Sequence, residues 1–395
     1  MLLLIIVTTV SCITPYATKL DNFKSLLVVD GSLTDENVSD YVVLTRTKNT
    51  ADEETEKETG AQVYITDDHG NSTSLSEVSE GKYKTDSLTF RGETGRTYTL
   101  HIKTTDGQEY ESDPCLLSPV QDIDSIYFGR DSRVVDTETH DGLSVYIDAG
   151  KESDCRFYRW TYEEWWKFSV PYPKKFNFVN DTTFTPCAQI NQVCWAHQKS
   201  YDINIRSTLT GISNRFKKLP VFFVDPQKSD RLLIRYYVLV RQMSISSDEY
   251  EFWNQMSQIN EAGGDIFDKQ PFEIKGNIHN VKSRNETVLG YFQVSGVKSS
   301  GIYITKTDAD RLSVPEYIYE CNYDIKGPQD YPRDPGDPPP TLADINFWFM
   351  WAGYAFVEPV IYGGFTDTRL VFALPFCTDC TLKGSLKKPA FWVDN

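Results

Sequence analysis

From Leu26 onward the chain breaks into short runs of β-branched and aromatic residues, each closed by a polar or glycine-bearing turn. The runs are "LLVVDGSL", "YVVLTRT", "AQVYITDDHGN", "GKYKTDSLTF" and "RTYTLHIKTTDGQEYES". Such runs fit a pleated, half-buried surface and little else. In "TYTLHI", Tyr98, Leu100 and Ile102 alternate with Thr97, Thr99 and His101, so one face is apolar and the other wet. "DDHGN" and "TDGQ" supply hairpin turns in which glycine takes a positive φ. Several strands packed into residues 26–114 predict a small sandwich, Ig-like or transthyretin-like. The charge run "TADEETEKET" (50–59) interrupts them as a solvated loop, because apart from Ala51 it has nothing apolar to bury.

A second, larger β-rich domain, sandwich or barrel-like, is expected over residues 115–395, opening with "DPCLLSPVQDIDSIYF". Its clearest strand is "RFYRWTYEEWWKF". Tyr158, Trp160, Tyr162, Trp166 and Phe168 share one parity, and Arg159, Thr161, Glu163 and Lys167 the other. An aromatic face of this kind packs against a core more often than it stacks on sugars. One helix is expected to dock on the sheets. "SSDEYEFWNQMSQINEAGG" puts Ser246 and Glu249 at capping-box spacing, sets Tyr250, Trp253 and Met256 on one stripe, and ends at Gly263–Gly264. "GPQDYPRDPGDPPPT" (327–341) is too rich in proline and aspartate for regular structure and reads as an exposed strap. "INFWFMWAGYAF" and "TRLVFALPF" then return to strands, completing the second sheet or forming a small third domain.

The opening "MLLLIIVTTVSC" locates the chain. Leu2–Val10 is too short to span a bilayer, which takes about 20 residues, but it matches the core of a secretory signal. Ser11 and Cys12 resemble the end of a lipobox, although Thr9 stands where leucine is usual and the first basic residue is Lys19. Residues 1–12 are therefore expected to form a lipoprotein signal with Cys12 as the lipidated residue, and 13–25 a tether. Stable anchoring needs more than one acyl chain, which a tri-acylated cysteine provides. The formal charge of −16 argues against nucleic acid and anionic lipid surfaces, since both would repel it.

No GxSxG elbow, phosphate loop, dinucleotide fingerprint or HExxH helix is present. The five histidines (His69, His101, His140, His197 and His279) show no pair at metal-ligand spacing. No enzyme, cofactor or metal is therefore expected. The pair Cys377 and Cys380 ("CTDC") lacks the two further ligands a zinc site needs and the following helix of a redox couple, so in an exported chain it reads as a staple. Two bridges come into question. Cys187–Cys194 would close a hairpin-sized loop worth roughly 2.5 kcal/mol. Cys321 joined to Cys377 or Cys380 would close a longer one worth roughly 4 kcal/mol and pin the strap. With Cys12 assigned to lipid, seven cysteines remain, so at least one stays free or pairs outside the chain.

"CTDCTLKGSLKKPAFW" resembles the closing CxDCxxxG…KPxFW signature of the domain-of-unknown-function 4249 family. "LLVVDGSLTD", "PVQDIDSIYF", "FYRWTYEEWWKF", "CWAHQKSYDI", "YYVLVRQMSISSDEYEFW", "GGDIFDKQPFEIKGNI" and "VLGYFQVSGV" carry the resemblance through residues 26–393. It implies an outer-membrane lipoprotein encoded beside TonB-dependent receptors, and it carries over no catalytic or ligand residues. "ITPYATK" after Cys12 lacks the acidic cluster linked to surface export, so either membrane face stays open. The leading expectation is a non-enzymatic accessory or ligand-capture partner of such a β-barrel, its ligand a glycan, peptide or iron chelate. A structural or adhesive envelope protein, or an assembly factor, is the alternative, and an extracytoplasmic hydrolase stands third.

Overall fold

A computed structural model describes residues 24–394 except 50–54, 87–89, 136, 151–154, 210–214, 262–273, 332–335 and 362–367. The fold is mainly β. Cys12, its signal, nearly all of the tether, the first half of the 50–59 charge run and the Gly263–Gly264 helix end lie outside the described residues. No helix among the described residues is long and apolar enough to cross a membrane.

The N-terminal unit is a two-sheet sandwich. One sheet runs Leu289–Ser295, Leu27–Thr34, Tyr41–Arg46, Lys82–Lys84, Ser76–Ser79. The other runs Ile278–Asn280, Glu109–Ser112, Thr97–Lys103, Gln62–Asp67, Ser72–Ser74, with Cys115–Leu116 beside the third strand. Tyr98, Leu100 and Ile102 are buried as their alternation requires, and they meet Val29, Leu33 and Val42 across the core. Residues 26–114 do not close this sandwich alone. Leu289–Ser295 returns to pair parallel with Leu27–Thr34, and Ile278–Asn280 pairs antiparallel with Glu109–Ser112. Phe292 and Val294 from the returning strand are part of the core. A boundary drawn at residue 114 misses them because a parallel partner needs a long connection, here most of the second unit.

The second unit sets a three-stranded sheet (Ile123–Val135, Glu138–Ala149, Phe216–Val224) against a larger one. The larger is ordered Val193–Lys199, Phe157–Ser169, Arg235–Ser244, Val297–Thr305, with Asn204–Ser207 also on the long aromatic strand. Tyr158, Trp160, Trp166 and Phe168 face the core, so the aromatic parity is a packed face. The opposite parity is covered too. The ring of Phe391 lies 4.9 Å from Trp165, and Trp392 lies 5.6 Å from Tyr303, so the C-terminal "PAFW" closes the outer side of the sheet. Only Gly296 separates the strand Leu289–Ser295 of the sandwich from Val297–Thr305 of this sheet. The joint is tied by Ser244 N–H donating to Gly296 O (3.1 Å) and Val297 N–H to Asp35 Oδ1 (2.8 Å).

Three α-helices are described: α1 (Ser247–Glu261), α2 (Lys306–Arg311) and α3 (Leu342–Trp351). In α1 the buried positions are Glu249 and Phe252, while Tyr250, Trp253 and Met256 are half-buried, so the stripe is rotated from the spacing read in the sequence. α3 corrects the strand expected at "INFWFMW". Thr341 and Asp344 form a capping box: Asp344 N–H donates to Thr341 Oγ1 (3.1 Å) and Thr341 N–H to Asp344 Oδ2 (2.9 Å). An unbroken apolar run marks neither a two- nor a 3.6-residue period, and the cap decides. α3 packs on a small sheet of its own, ordered Tyr323–Lys326, Thr368–Ala373, Ala355–Ile361. Aromatics of the hairpin Phe176–Asn180 and Thr183–Pro186 complete that core.

Candidate functional site

A cleft of about 830 Å³ lies where the two sheets of the second unit meet α1. Its floor comes from Phe216–Val224 and the long aromatic strand, one wall from Asn204–Ser207, and the other from Tyr250, Asn254 and Ser257 of α1. Tyr162 explains how the floor is held. Its position at the middle of the long strand places its ring on Phe222, with centroids 4.3 Å apart and planes 21° apart. Its hydroxyl donates to Asp202 Oδ2 at 2.6 Å. Burial, and then the carboxylate beside it, push the Tyr162 phenol well up, so it stays a neutral donor. Asn204 Nδ2 donates to Val221 O at 3.0 Å and fixes the wall to the floor.

Two carboxylates, Asp131 and Asp202, and two guanidiniums, Arg133 and Arg206, line the cleft, so it is balanced where the chain as a whole is strongly acidic. Ser144 Oγ donates to Asp131 Oδ2 at 2.6 Å and holds that carboxyl below the usual carboxylate range. The Arg133 guanidinium lies 5.1 Å from the Phe223 ring centroid. Aromatic surface flanked by fixed donors and acceptors of both signs is suited to gripping a polar ligand with flat or ring-shaped parts. No imidazole or thiol stands among the described residues lining it.

A second cavity, about 390 Å³, opens at the seam between the sandwich and α1, with Cys115, Glu249, Asn277 and Tyr291 in its lining. Ser246 caps α1 by accepting from Glu249 N–H at 3.1 Å, but the Glu249 carboxylate turns into the seam. There it accepts from Trp253 Nε1 at 3.3 Å. The Arg159 guanidinium lies 3.8 Å over the Trp253 ring and donates to Gln293 Oε1 at 2.6 Å. Burial pushes Glu249 up to about 7 against the pull of Arg159. Cys115 is pushed up to about 12 by burial and takes a hydrogen bond from Asn277 Nδ2 at 3.2 Å, which leaves it a structural thiol.

The cysteines sort clearly. Cys321 bonds Cys377 and Cys194 bonds Cys380, so the two members of "CTDC" reach different partners. The hairpin bridge Cys187–Cys194 is not formed. Cys194 faces the core opposite Phe168, whereas Cys187 lies past the hairpin with its thiol toward Asn177. Cys115 and Cys187 are free thiols, and Cys155 is buried just ahead of the long aromatic strand.

Strand register also assembles a group that linear spacing hides. Glu111 sits opposite both His101 and His279, with His279 Nε2 at 3.3 Å and His101 Nδ1 at 3.9 Å from its carboxylate. The signal was the alternation itself, which puts all three on one outward face once the strands are aligned. Among the described residues no group of three or more His, Cys, Asp or Glu is placed to hold a metal ion.

Residues 13–300 match the family described as "Domain of unknown function (DUF4249)". No curated protein matches the chain.

Proposed function

The chain belongs to the DUF4249 family, and from that premise we propose a non-enzymatic, lipid-anchored accessory protein of the outer membrane that captures a ligand for a TonB-dependent receptor. The observation that carries the reading is the cleft floored by Tyr162 and Phe222 and edged by Asp202 and Arg206. A purely structural or adhesive protein has no use for such a concavity. A hydrolase would need two convergent carboxylates, one of them a raised general acid, or a nucleophile beside a histidine. Asp131 is instead held low by Ser144, Asp202 takes the Tyr162 hydroxyl, and Ser257 has no imidazole with it among the described lining residues. Cys12, ahead of a short polar stretch, supplies the anchor in this reading. The ligand is a glycan, a peptide or an iron chelate, each of which presents the mixed polar and flat surface that the cleft fits.

The test is calorimetry with oligosaccharide, oligopeptide and ferric-chelate panels, run on the whole chain and on Asp202→Ala and Arg206→Ala. Both side chains are exposed, so neither change opens the core; Asp202→Ala also releases the Tyr162 hydroxyl, and Arg206→Ala leaves that bond in place. One class should bind, and each variant should weaken it about tenfold, the loss of one charge-assisted hydrogen bond. If no class binds, and membranes solubilised in mild detergent yield no β-barrel with the chain, the reading fails.

A further inference from the structure

α3 is turned inside out relative to an ordinary surface helix. It buries Leu342 and Ile345 and stacks Phe349 on Phe372 (4.4 Å), yet it leaves Phe347, Trp348, Met350 and Trp351 in the open. Trp351 is 85% exposed and Phe347 66%. Single exposed apolar residues are normal, but four large ones within five positions form a patch that water does not favour.

We propose that this face of α3 is a membrane-contacting element that lies in the headgroup–acyl boundary of a lipid bilayer. The chemistry of the patch selects lipid over a protein partner. Protein interfaces share the enrichment in Trp, Phe and Met, but they also carry about one hydrogen bond per 100–200 Å² and a polar rim, often with arginine. The only charge on α3 is Asp344, already engaged in the cap with Thr341. Tryptophan, with an apolar body and one N–H, is the side chain that concentrates at membrane interfaces. A ten-residue helix is about 15 Å long, too short to span and suited to lying in the plane.

The chain ahead of the described residues points the same way. Residues 1–23 hold the apolar run Leu2–Val10 and Cys12, and the 11 residues from 13 to 23 reach at most ~40 Å. In this one respect the inference rests on the lipid-anchor reading: an anchored Cys12 keeps the body within reach of the bilayer, and α3 adds a second contact. With no lysine or arginine on the helix, and −16 on the chain, the surface it suits is zwitterionic rather than anionic.

The test uses the whole chain carrying Cys12→Ser, so that it stands or falls apart from lipidation. The protein is floated with phosphatidylcholine vesicles, with and without bromine on the acyl chains. The expected result is co-flotation, a blue shift of tryptophan emission, and quenching by the brominated lipid. Trp348→Phe with Trp351→Phe should still float but lose most of the quenching. Phe347→Ser with Trp351→Ser should float at least tenfold less while melting at the same temperature, because the side chains removed are exposed. The proposal is overturned if the chain does not float, or if the serine variant floats equally, which would assign binding to the apolar N-terminal run. It is also overturned if the chain sediments as a dimer that only the serine variant dissolves, which would assign the face to a second copy.

Discussion

Glu249 shows how one residue can satisfy a local rule and serve another end. Its spacing from Ser246 is that of a capping box, and its N–H does take the serine cap, but its carboxylate is spent at the seam with Arg159 and Trp253. Spacing within a helix says which turn a side chain belongs to, and nothing about what another unit brings to that turn. The seam has a measurable consequence. Burial raises Glu249 from 4.5 to about 7, so between those values the folded chain holds a proton that the unfolded chain has released. Stability from this group is therefore complete below about pH 4.5 and lost as pH rises through about 7, on the order of 3 kcal/mol in all. Asp40, raised from 3.8 to about 7 chiefly by burial, adds a loss of the same sign. Urea midpoints measured from pH 4.5 to 8 should fall for the natural chain, and Glu249→Gln should remove one share of the slope. A flat profile for the natural chain would contradict the buried, titrating carboxylate.

Among the elements, the strand Leu289–Ser295 couples the two units most directly, because it finishes the sandwich core and runs through Gly296 into the neighbouring sheet. Gly290 makes its approach to Leu27–Thr34 attainable. Its φ is +92°, and a Cβ there would stand 1.9 Å from Val29 O. Gly290→Ala should therefore cost about 3 kcal/mol or more, as strain and a broken ladder act together. Gly95→Ala is the control. Its φ is +87° with nothing within 4 Å, so it should cost only the left-handed penalty of about 1–2 kcal/mol. Equal urea midpoints for the two variants would show that the parallel pairing carries little. The strands of the sandwich were legible because one wet face imposes a period of two. Its completion by residues 278–295 was not, since a sequence does not display pairing across a long crossover. The same limit hid the cleft, whose walls come from strands and a helix far apart in the chain, and the grouping of His101 and His279 about Glu111. α3 was misread for a different reason: with apolar residues on every side it has no period, and only Thr341 with Asp344 betrays it.

At the scale of the whole molecule, the C-terminal segment acts as a clasp over parts built earlier in the chain. Cys380 fastens it to the strand Val193–Lys199, and Cys377 fastens it to Cys321 ahead of the small sheet. Lys383 Nζ reaches buried Asp230 at 2.6 Å, and Phe391 and Trp392 close the outer face of the large sheet. A clasp of this kind contributes most by restricting the unfolded chain, and its effect grows with the loop it closes. The separation of 186 residues for Cys194–Cys380 corresponds to about 5 kcal/mol in the chain-entropy account. The 56 of Cys321–Cys377 correspond to about 4 kcal/mol, each bridge taken by itself. Cys194→Ser with Cys380→Ser should accordingly lower the urea midpoint more than Cys321→Ser with Cys377→Ser. The first pair should also loosen the outer sheet face, seen as earlier tryptic cleavage after Lys383 or Lys387. Peptide mapping without reduction should return these two cross-links and no peptide joining Cys187 to Cys194. Native alkylation should label half-exposed Cys187 before buried Cys155. A Cys187–Cys194 peptide would leave Cys380 without its partner, and the clasp would lose its hold on the sheet.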